Sequence, residues 1–288
     1  MNVAVERQVP PLLVFGARGY LGQYLLERFP AARGSCQDIA DRAGVAAELE
    51  TVRPAVVVNC AGKTGRPNVD WCEDHKEETL RANVIGPLIL LEECLKRGLY
   101  LVHFSSGCIY QGDNHGRGFC ESDPPNYNGS FYSRTKAWSD QMLGEFPVLV
   151  LRLRMPFDGT TAERNLLMKL RKYQRLLTEP NSLTHLPDLL EVFATLLARR
   201  ATGVYNVVNP GAISPYEIMQ MYREIVDPSH CFEPLEASRL GEVTRAGRSN
   251  CLLSTAKLQR EGLTLPPVRE ALRRALHQLR LRLLEALP

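Results

Sequence analysis

Tyr132 and Lys136 stand four residues apart in the stretch FYSRTKAW. On a helix that spacing puts both side chains on one face, one turn apart. An ammonium there stabilises the phenolate and lowers the tyrosine pKa from ~10 toward neutrality. Such a phenol suits the delivery of a proton to a carbonyl oxygen whose carbon receives hydride. A second pair, Ser106 and Cys108, lies upstream in HFSSGCIYQG. If residues 101–108 are extended, side chains two apart point to the same face. Both would face the C-terminal end of a strand, where open α/β sheets bind ligands. Ser106 could then hydrogen-bond a substrate carbonyl, and Cys108 could exchange a proton with the carbon beside it. Two plainer readings stay open: Cys108 as a small packing residue, and Ser106 as a strand cap.

Hydride needs a source. Gly16, Gly19 and Gly22 form G-x-x-G-x-x-G between the apolar run LLVF and an amphipathic segment. Glycines at a strand-to-helix turn let backbone N–H groups approach a pyrophosphate at the helix N-terminus. A dinucleotide is therefore expected, with Arg18 inside the loop. The usual acid about 20 residues on, which would hold a ribose 2′-hydroxyl, is not obvious. Arg33 lies at the expected end of a weak second strand instead. An arginine there favours a 2′-phosphate, hence NADPH, with NADH the other candidate.

These groups must be positioned by a sheet. LLVF, RPAVVVNCAG, LYLVHFSS and PVLVLRLRMP read as buried strands, the last stopped by Pro156. VIGPLILLEECLKRG and FYSRTKAWSDQMLGEF read as helices between them. This alternation predicts an α/β fold, a Rossmann-type doubly wound parallel sheet. Beyond Pro156 the pattern changes. RNLLMKLRKYQRLL and PDLLEVFATLLARR look helical, GVYNVVNPG a short strand, and SPYEIMQMYREIV a helix with a Ser–Pro start. The expected organisation is a dinucleotide-binding domain over 1–155 and a smaller substrate-binding lobe over 156–288, with 203–209 returning to the sheet.

The 288 residues are 44% hydrophobic and 23% charged, ordinary values for a globular chain. At this length no disulfide or metal staple is needed. The net charge of +3 is small, and the basic C-terminal stretch reads as an amphipathic helix with a solvated face rather than a nucleic-acid or membrane site. The segment MNVAVERQVPPLLVF lacks the pattern of a secretion signal, and no apolar run approaches a membrane span. A cytoplasmic protein with reduced cysteines is expected; the eight cysteines show no paired metal spacing. Histidines and carboxylates form no metal constellation. His103 reads as a core residue and His75 as part of a solvated face.

The glycine pattern, Ser106, Tyr132 and Lys136 resemble those of extended short-chain dehydrogenase/reductases. GKTGRPNVDWCEDHKEETLRANVIG, GCIYQG, PPNYNGSFYSRTKAW, LRLRMP, GVYNVVNPGAISPYEIMQMYR and GRSN are similar to the dTDP-4-dehydrorhamnose reductase branch, and within it to bifunctional epimerase-reductases of nucleotide-rhamnose synthesis. The resemblance spans about residues 11–260. It implies epimerisation of a nucleotide-4-keto-6-deoxy-glucose at C3 and C5, then reduction at C4 with NADPH. Cys108 matches the family's cysteine acid/base, and Lys169 corresponds to its lysine partner. The resemblance places Tyr20, Leu21, Asn59, Ala61, Gly62, Asn83 and Pro156 at the cofactor, with Asp38 and Ile39 bordering its adenine. It places Asp70, Trp71, Asn165, Arg248 and Asn250 at the substrate, the arginine near the diphosphate. A homodimer is compatible with it. Lys63 stands where an apolar residue is expected. Two other readings remain: a reductase without epimerase activity, in which Cys108 is incidental, and a non-catalytic NADP-binding regulatory subunit, whose hallmark would be loss of the Tyr–Lys pair.

Overall fold

The computed structural model describes residues 11–286. The N-terminal reading on residues 1–10 lies outside the described residues. Strand β1 (Leu12–Phe15) is buried throughout, as a parallel strand covered on both faces must be. Helix α1 (Tyr20–Arg28) follows the glycine turn, and β2 is two residues long, Arg33–Gly34. Helix α2 (Arg42–Val52) starts at Asp41, whose side chain accepts from Gly44 N at 3.2 Å. Strand β3 (Val56–Asn59), helix α3 (Gly86–Lys96), strand β4 (Tyr100–Ser106), helix α4 (Phe131–Gly144) and strand β5 (Leu149–Leu153) continue the alternation. Then come β6 (Arg175–Leu177), β7 (Asn181–Leu183), helix α5 (Leu186–Ala198), β8 (Gly203–Asn206), β9 (Asn209–Ile213), helix α6 (Pro215–Ile225), β10 (Glu233–Leu235) and helix α7 (Val268–Glu285).

Six strands form the main sheet in the order β2-β1-β3-β4-β5-β8. The pairings β1–β2, β1–β3 and β3–β4 are parallel. Each apolar run alternates between the two helical layers. Leu13, Phe15, Val57, Leu101 and Val150 share one core with Val45 and Leu49 of α2, Ile89 and Leu90 of α3 and Leu143 of α4. His103 and Ser105 continue that same face of β4, which is why they meet α4 near its polar residues.

Contacts divide the chain into two units at more places than the single boundary near 155. Among the described residues the first comprises 11–109, 125–152 and 193–205; the second comprises 110–124, 153–192 and 206–286. In the second, β6 pairs with β10 and β7 with β9. Its core gathers Leu167, Leu183, Ile213, Met219, Tyr222, Leu272, Leu276 and Leu279. Helix α7 supplies that core through Val268, Ala271, Leu272, Ala275, Leu276 and Leu279, a helical repeat of one apolar face. Helix α6 opens with a capping box between Ser214 and Glu217.

One helix is shorter than its sequence suggests. RNLLMKLRKYQRLL is helical only over Leu166–Leu170. Lys172 N and Tyr173 N then bond back three residues, to Lys169 O and Leu170 O, and the chain leaves as β6. Pairing with β10 in register (Leu176 opposite Pro234) wins over local helix preference.

Candidate active site

The cofactor turn is shaped by steric need. Gly16 has φ +76°, and a Cβ there would lie 2.4 Å from Ala61 N. A Cβ on Gly22 would lie 2.3 Å from Gly16 O, so α1 presses directly on the turn. Gly19 N donates to Gly16 O at 2.9 Å. Gly19 is the N-cap of α1 and brings no side-chain cap. A helix start that no side chain caps, behind a glycine turn, is an arrangement that fits a pyrophosphate. Arg18 and Arg33 are exposed, Tyr20 and Leu21 half-buried. Asp38 is exposed and its carboxylate accepts from Ala40 N at 2.9 Å. Ile39 departs from expectation: it is buried in the core against Gly86, not open toward an adenine.

Asn59 and Asn83 are also fully buried, and their amides are engaged within the protein. Asn59 Oδ1 accepts from Ala61 N at 2.9 Å, and its Nδ2 meets His103 Nδ1 at 3.0 Å. Asn83 sits in a π-helical turn, Arg81–Ile85. Its Oδ1 accepts from Lys63 N at 2.7 Å, and its Nδ2 donates to Lys63 O and Thr135 Oγ1. Both asparagines therefore tie the loop around Ala61 and Gly62 to neighbouring elements instead of offering free polar atoms. Lys63 gains a reason as well. Its backbone is held by Asn83, while its ammonium pairs with Glu78 at 3.1 Å and lies 4.9 Å from the Trp71 ring centroid. Trp71 stacks on His75 with centroids 3.8 Å apart. Asp70 precedes a short helix, Trp71–Asp74, and is half-buried like Trp71.

Helix α4 carries Tyr132 and Lys136 as the spacing predicts, its start fixed by Ser130 Oγ accepting from Ser133 N at 3.1 Å. Tyr132 is half-buried; Lys136 is 4% exposed, with Nζ 3.4 Å from Phe104 O. Burial pushes the Lys136 amine below its ordinary value, and the facing Cys108 and Asp140 oppose that shift. Asp140 stands one further turn along the helix. It accepts from Ser105 Oγ at 2.6 Å and from Arg152 Nη2 at 2.6 Å, all three side chains being buried. The spacing of Tyr132 and Lys136 gave no sign of this ion pair; its only trace is an acid at i+8 on the same face.

The Ser106–Cys108 pair is arranged differently from the extended reading. Strand β4 ends at Ser106, and Gly107–Ile109 is a 3₁₀ turn. Alternation therefore stops before Cys108. The turn returns Cys108 N to donate to Ser106 Oγ at 3.2 Å and brings the thiol into electrostatic range of Lys136. Cys108 is 6% exposed, nearly but not wholly enclosed.

In the second unit, Lys169 is half-buried on the short helix Leu166–Leu170. Burial, then the neighbouring Arg164, pushes its amine below the ordinary lysine value, while Glu163 opposes the shift. Asn165 is the buried N-cap of that helix. Its Oδ1 accepts from Leu167 N, and its Nδ2 donates to Asp158 O, Asp158 Oδ1 and Thr160 O. It is a structural cap, not a group presented to substrate. Pro156 is half-buried beside Met155, which adopts φ +42°. Arg248 Nη1 donates to Ala246 O at 2.8 Å, and Asn250 Oδ1 accepts from Asn181 at 3.0 Å. Among the described residues no group of three or more His, Cys, Asp or Glu could hold a metal ion, and no helix is long and apolar enough to cross a membrane.

A family model described as the RmlD substrate binding domain matches residues 11–281. The bifunctional dTDP-4-dehydrorhamnose 3,5-epimerase/dTDP-4-dehydrorhamnose reductase of Arabidopsis thaliana is 40% identical over 272 residues, covering 90% of each chain. The crystal structure of the L780 UDP-rhamnose synthase from Acanthamoeba polyphaga mimivirus superposes with a TM-score of 0.89 at 29% identity, covering 94% of this chain and 99% of that one. A dTDP-4-dehydrorhamnose reductase from Bacillus anthracis, solved in complex with NADP, has the same fold at a TM-score of 0.80 and 21% identity, with 92% of this chain and 97% of that one covered.

Proposed function

This chain belongs to the RmlD substrate binding domain family, and from that premise we propose that it is an NADPH-dependent reductase of a nucleotide-4-keto-6-deoxy sugar that also epimerises C3 and C5. The observation carrying the reading is the alignment on α4 and the turn facing it: Tyr132 and Lys136 one turn apart, with Cys108 within electrostatic range of Lys136.

The dinucleotide supplies a hydride to C4 when bound. Gly16, Gly19 and Gly22 shape the turn that would hold its pyrophosphate, and Arg18 and Arg33, both exposed, are the cations available to a 2′-phosphate. Tyr132 gives its phenolic proton to the C4 oxygen as that oxygen gains charge, and Ser106 hydrogen-bonds the same oxygen. Lys136 stabilises the phenolate left behind. Asp140, itself held by Arg152, keeps the helix face ordered behind the lysine.

Epimerisation asks for a base and an acid near neutrality, because the protons on C3 and C5 are acidified by the ketone between them. Removing one gives an enolate, and returning a proton from the opposite face inverts the centre. Cys108 and Lys169 are assigned these roles. Burial and the neighbouring Arg164 shift the Lys169 amine in the direction that eases loss of its proton, which supports the assignment.

The test is incubation of the pure protein with NADPH and UDP- or dTDP-4-keto-6-deoxy-glucose, with no other epimerase present. Nucleotide-L-rhamnose is the expected product. A 4-reduced sugar with C3 and C5 unchanged would reduce the assignment to a reductase. No turnover with either nucleotide, despite NADPH binding, would favour a regulatory subunit.

A further inference from the structure

A positive charge is enclosed in the second unit without a negative one. Arg154 follows β5 and is 7% exposed. Its Nε and Nη2 donate to Asn181 Oδ1 at 3.2 and 2.6 Å, and Nη2 also donates to the Ser249 carbonyl. Both acceptors are neutral. Arg152, two positions earlier, meets the carboxylate of Asp140; Arg154 has no such partner among the described residues. Enclosing a cation without a counter-charge is costly, and neutral acceptors offset that cost only in part.

Arg154 belongs to a chain of hydrogen bonds that runs through Asn181 to Asn250. Asn181 Oδ1 accepts from Cys251 N at 3.0 Å in addition to the arginine. Asn181 Nδ2 donates to Asn250 Oδ1 at 3.0 Å, and Asn250 N donates to Gln111 Oε1 at 3.0 Å. With its oxygen engaged, Asn250 has its amide Nδ2 left to give, and Arg154 has Nη1. Neither atom has an acceptor among the described residues, and each residue keeps a narrow exposed edge, 7% for Arg154 and 8% for Asn250. Both residues are tied to Asn181, and a guanidinium with an open N–H beside an amide donor has the chemistry to take an anionic oxygen. Arg248, the arginine singled out in GRSN, turns Nη1 onto the carbonyls of Ala246 and Gly247.

We propose that Arg154 is the buried cation of an anion subsite in this unit, where it takes a phosphate oxygen of the nucleotide-sugar diphosphate, with Asn250 Nδ2 as the second donor. The choice of diphosphate rests on the reading of the substrate as a nucleotide sugar. A 4-keto-6-deoxy sugar is neutral, so the diphosphate is the anionic part of such a molecule.

Titration calorimetry with inorganic pyrophosphate and with UDP tests the subsite apart from turnover. NADPH titration serves as the control for folding. R154K and R154Q should each bind pyrophosphate and UDP at least tenfold more weakly than the wild type, with NADPH affinity changed less than twofold. In turnover, R154K should raise KM more than tenfold while kcat stays within threefold. If R154Q fails to fold, R154K decides. Wild-type affinity in a folded R154K, or no binding of pyrophosphate and UDP by the wild type, overturns the proposal. Displacement of pyrophosphate by saturating NADPH also overturns it, because the anion would then occupy the cofactor's own site. Arginine-dependent UDP binding without turnover of any 4-keto sugar would leave the subsite standing and remove the proposed reaction.

Discussion

Asn59 fixes the proton on His103. The backbone N–H of Ala61 donates to Asn59 Oδ1 at 2.9 Å, which turns the Asn59 amide nitrogen toward His103 Nδ1 at 3.0 Å. Nδ1 is therefore an acceptor, and the neutral ring carries its hydrogen on Nε2. The ring is 1% exposed and feels the charge of Lys136. Burial first, and that ammonium second, push its pKa well below the ordinary histidine value.

An acid-stability prediction follows from that shift. Below the unfolded histidine pKa, ~6.5, the unfolded chain takes up a proton that the folded chain refuses. Stability then falls as pH falls, by up to ~1.4 kcal/mol per pH unit from this one group. Replacing His103 by Gln removes the titration. Urea unfolding at pH 7 and pH 5 should show a smaller loss on acidification for H103Q than for the wild type. Equal losses would mean that His103 protonates freely in the folded protein.

The Asp140–Arg152 pair predicts a stability effect of a different kind. Both side chains are buried, and D140N leaves the guanidinium without its counter-charge. The expected destabilisation is about 3 kcal/mol, read as a lower urea midpoint. It should exceed that of removing the exposed partner Glu78 from Lys63, which is worth under ~1 kcal/mol.

For Cys108, the division of labour predicts separable defects. C108S should lower solvent-deuterium incorporation at C3 and C5 by more than about 100-fold, within the usual range for an acid/base group. Reduction of a pre-epimerised substrate should stay within about threefold, measured by NADPH absorbance. K169M should behave alike. Loss of both activities in folded C108S would show that the thiol serves the reduction instead.

Gly16 predicts cofactor loss. A methyl group 2.4 Å from a backbone nitrogen, at φ +76°, cannot be accepted without moving the turn. G16A should weaken NADPH binding by at least about tenfold in a fluorescence titration, because the amides at the start of α1 move with it. Binding within twofold of wild type would show that the turn does not set the cofactor's position.

Much of the frame is local and therefore legible. Leu12–Phe15 and Val56–Val58 are uninterrupted apolar runs that only a strand covered on both faces would bury. Gly16, Gly19 and Gly22 mark their turn by residue type, and Tyr132–Lys136 mark their helix face by spacing, since one turn of helix is the same wherever it occurs. Other features depend on partners distant in sequence. The strand at Cys108 gives way to a 3₁₀ turn, and the helix expected beyond Leu170 yields to β6 because β10 is there to pair with it. Ile39 and Asn165 carry suitable side chains for a ligand, yet packing on Gly86 and capping of a helix claim them first. The proton affinity of Lys136, the tautomer of His103 and the neutral acceptors that hold the Arg154 guanidinium are set by groups 4 to 95 positions away in the chain. Residue types and short spacings are written in the sequence; burial and hydrogen-bond partners, which set proton affinity, exist only once the chain has folded.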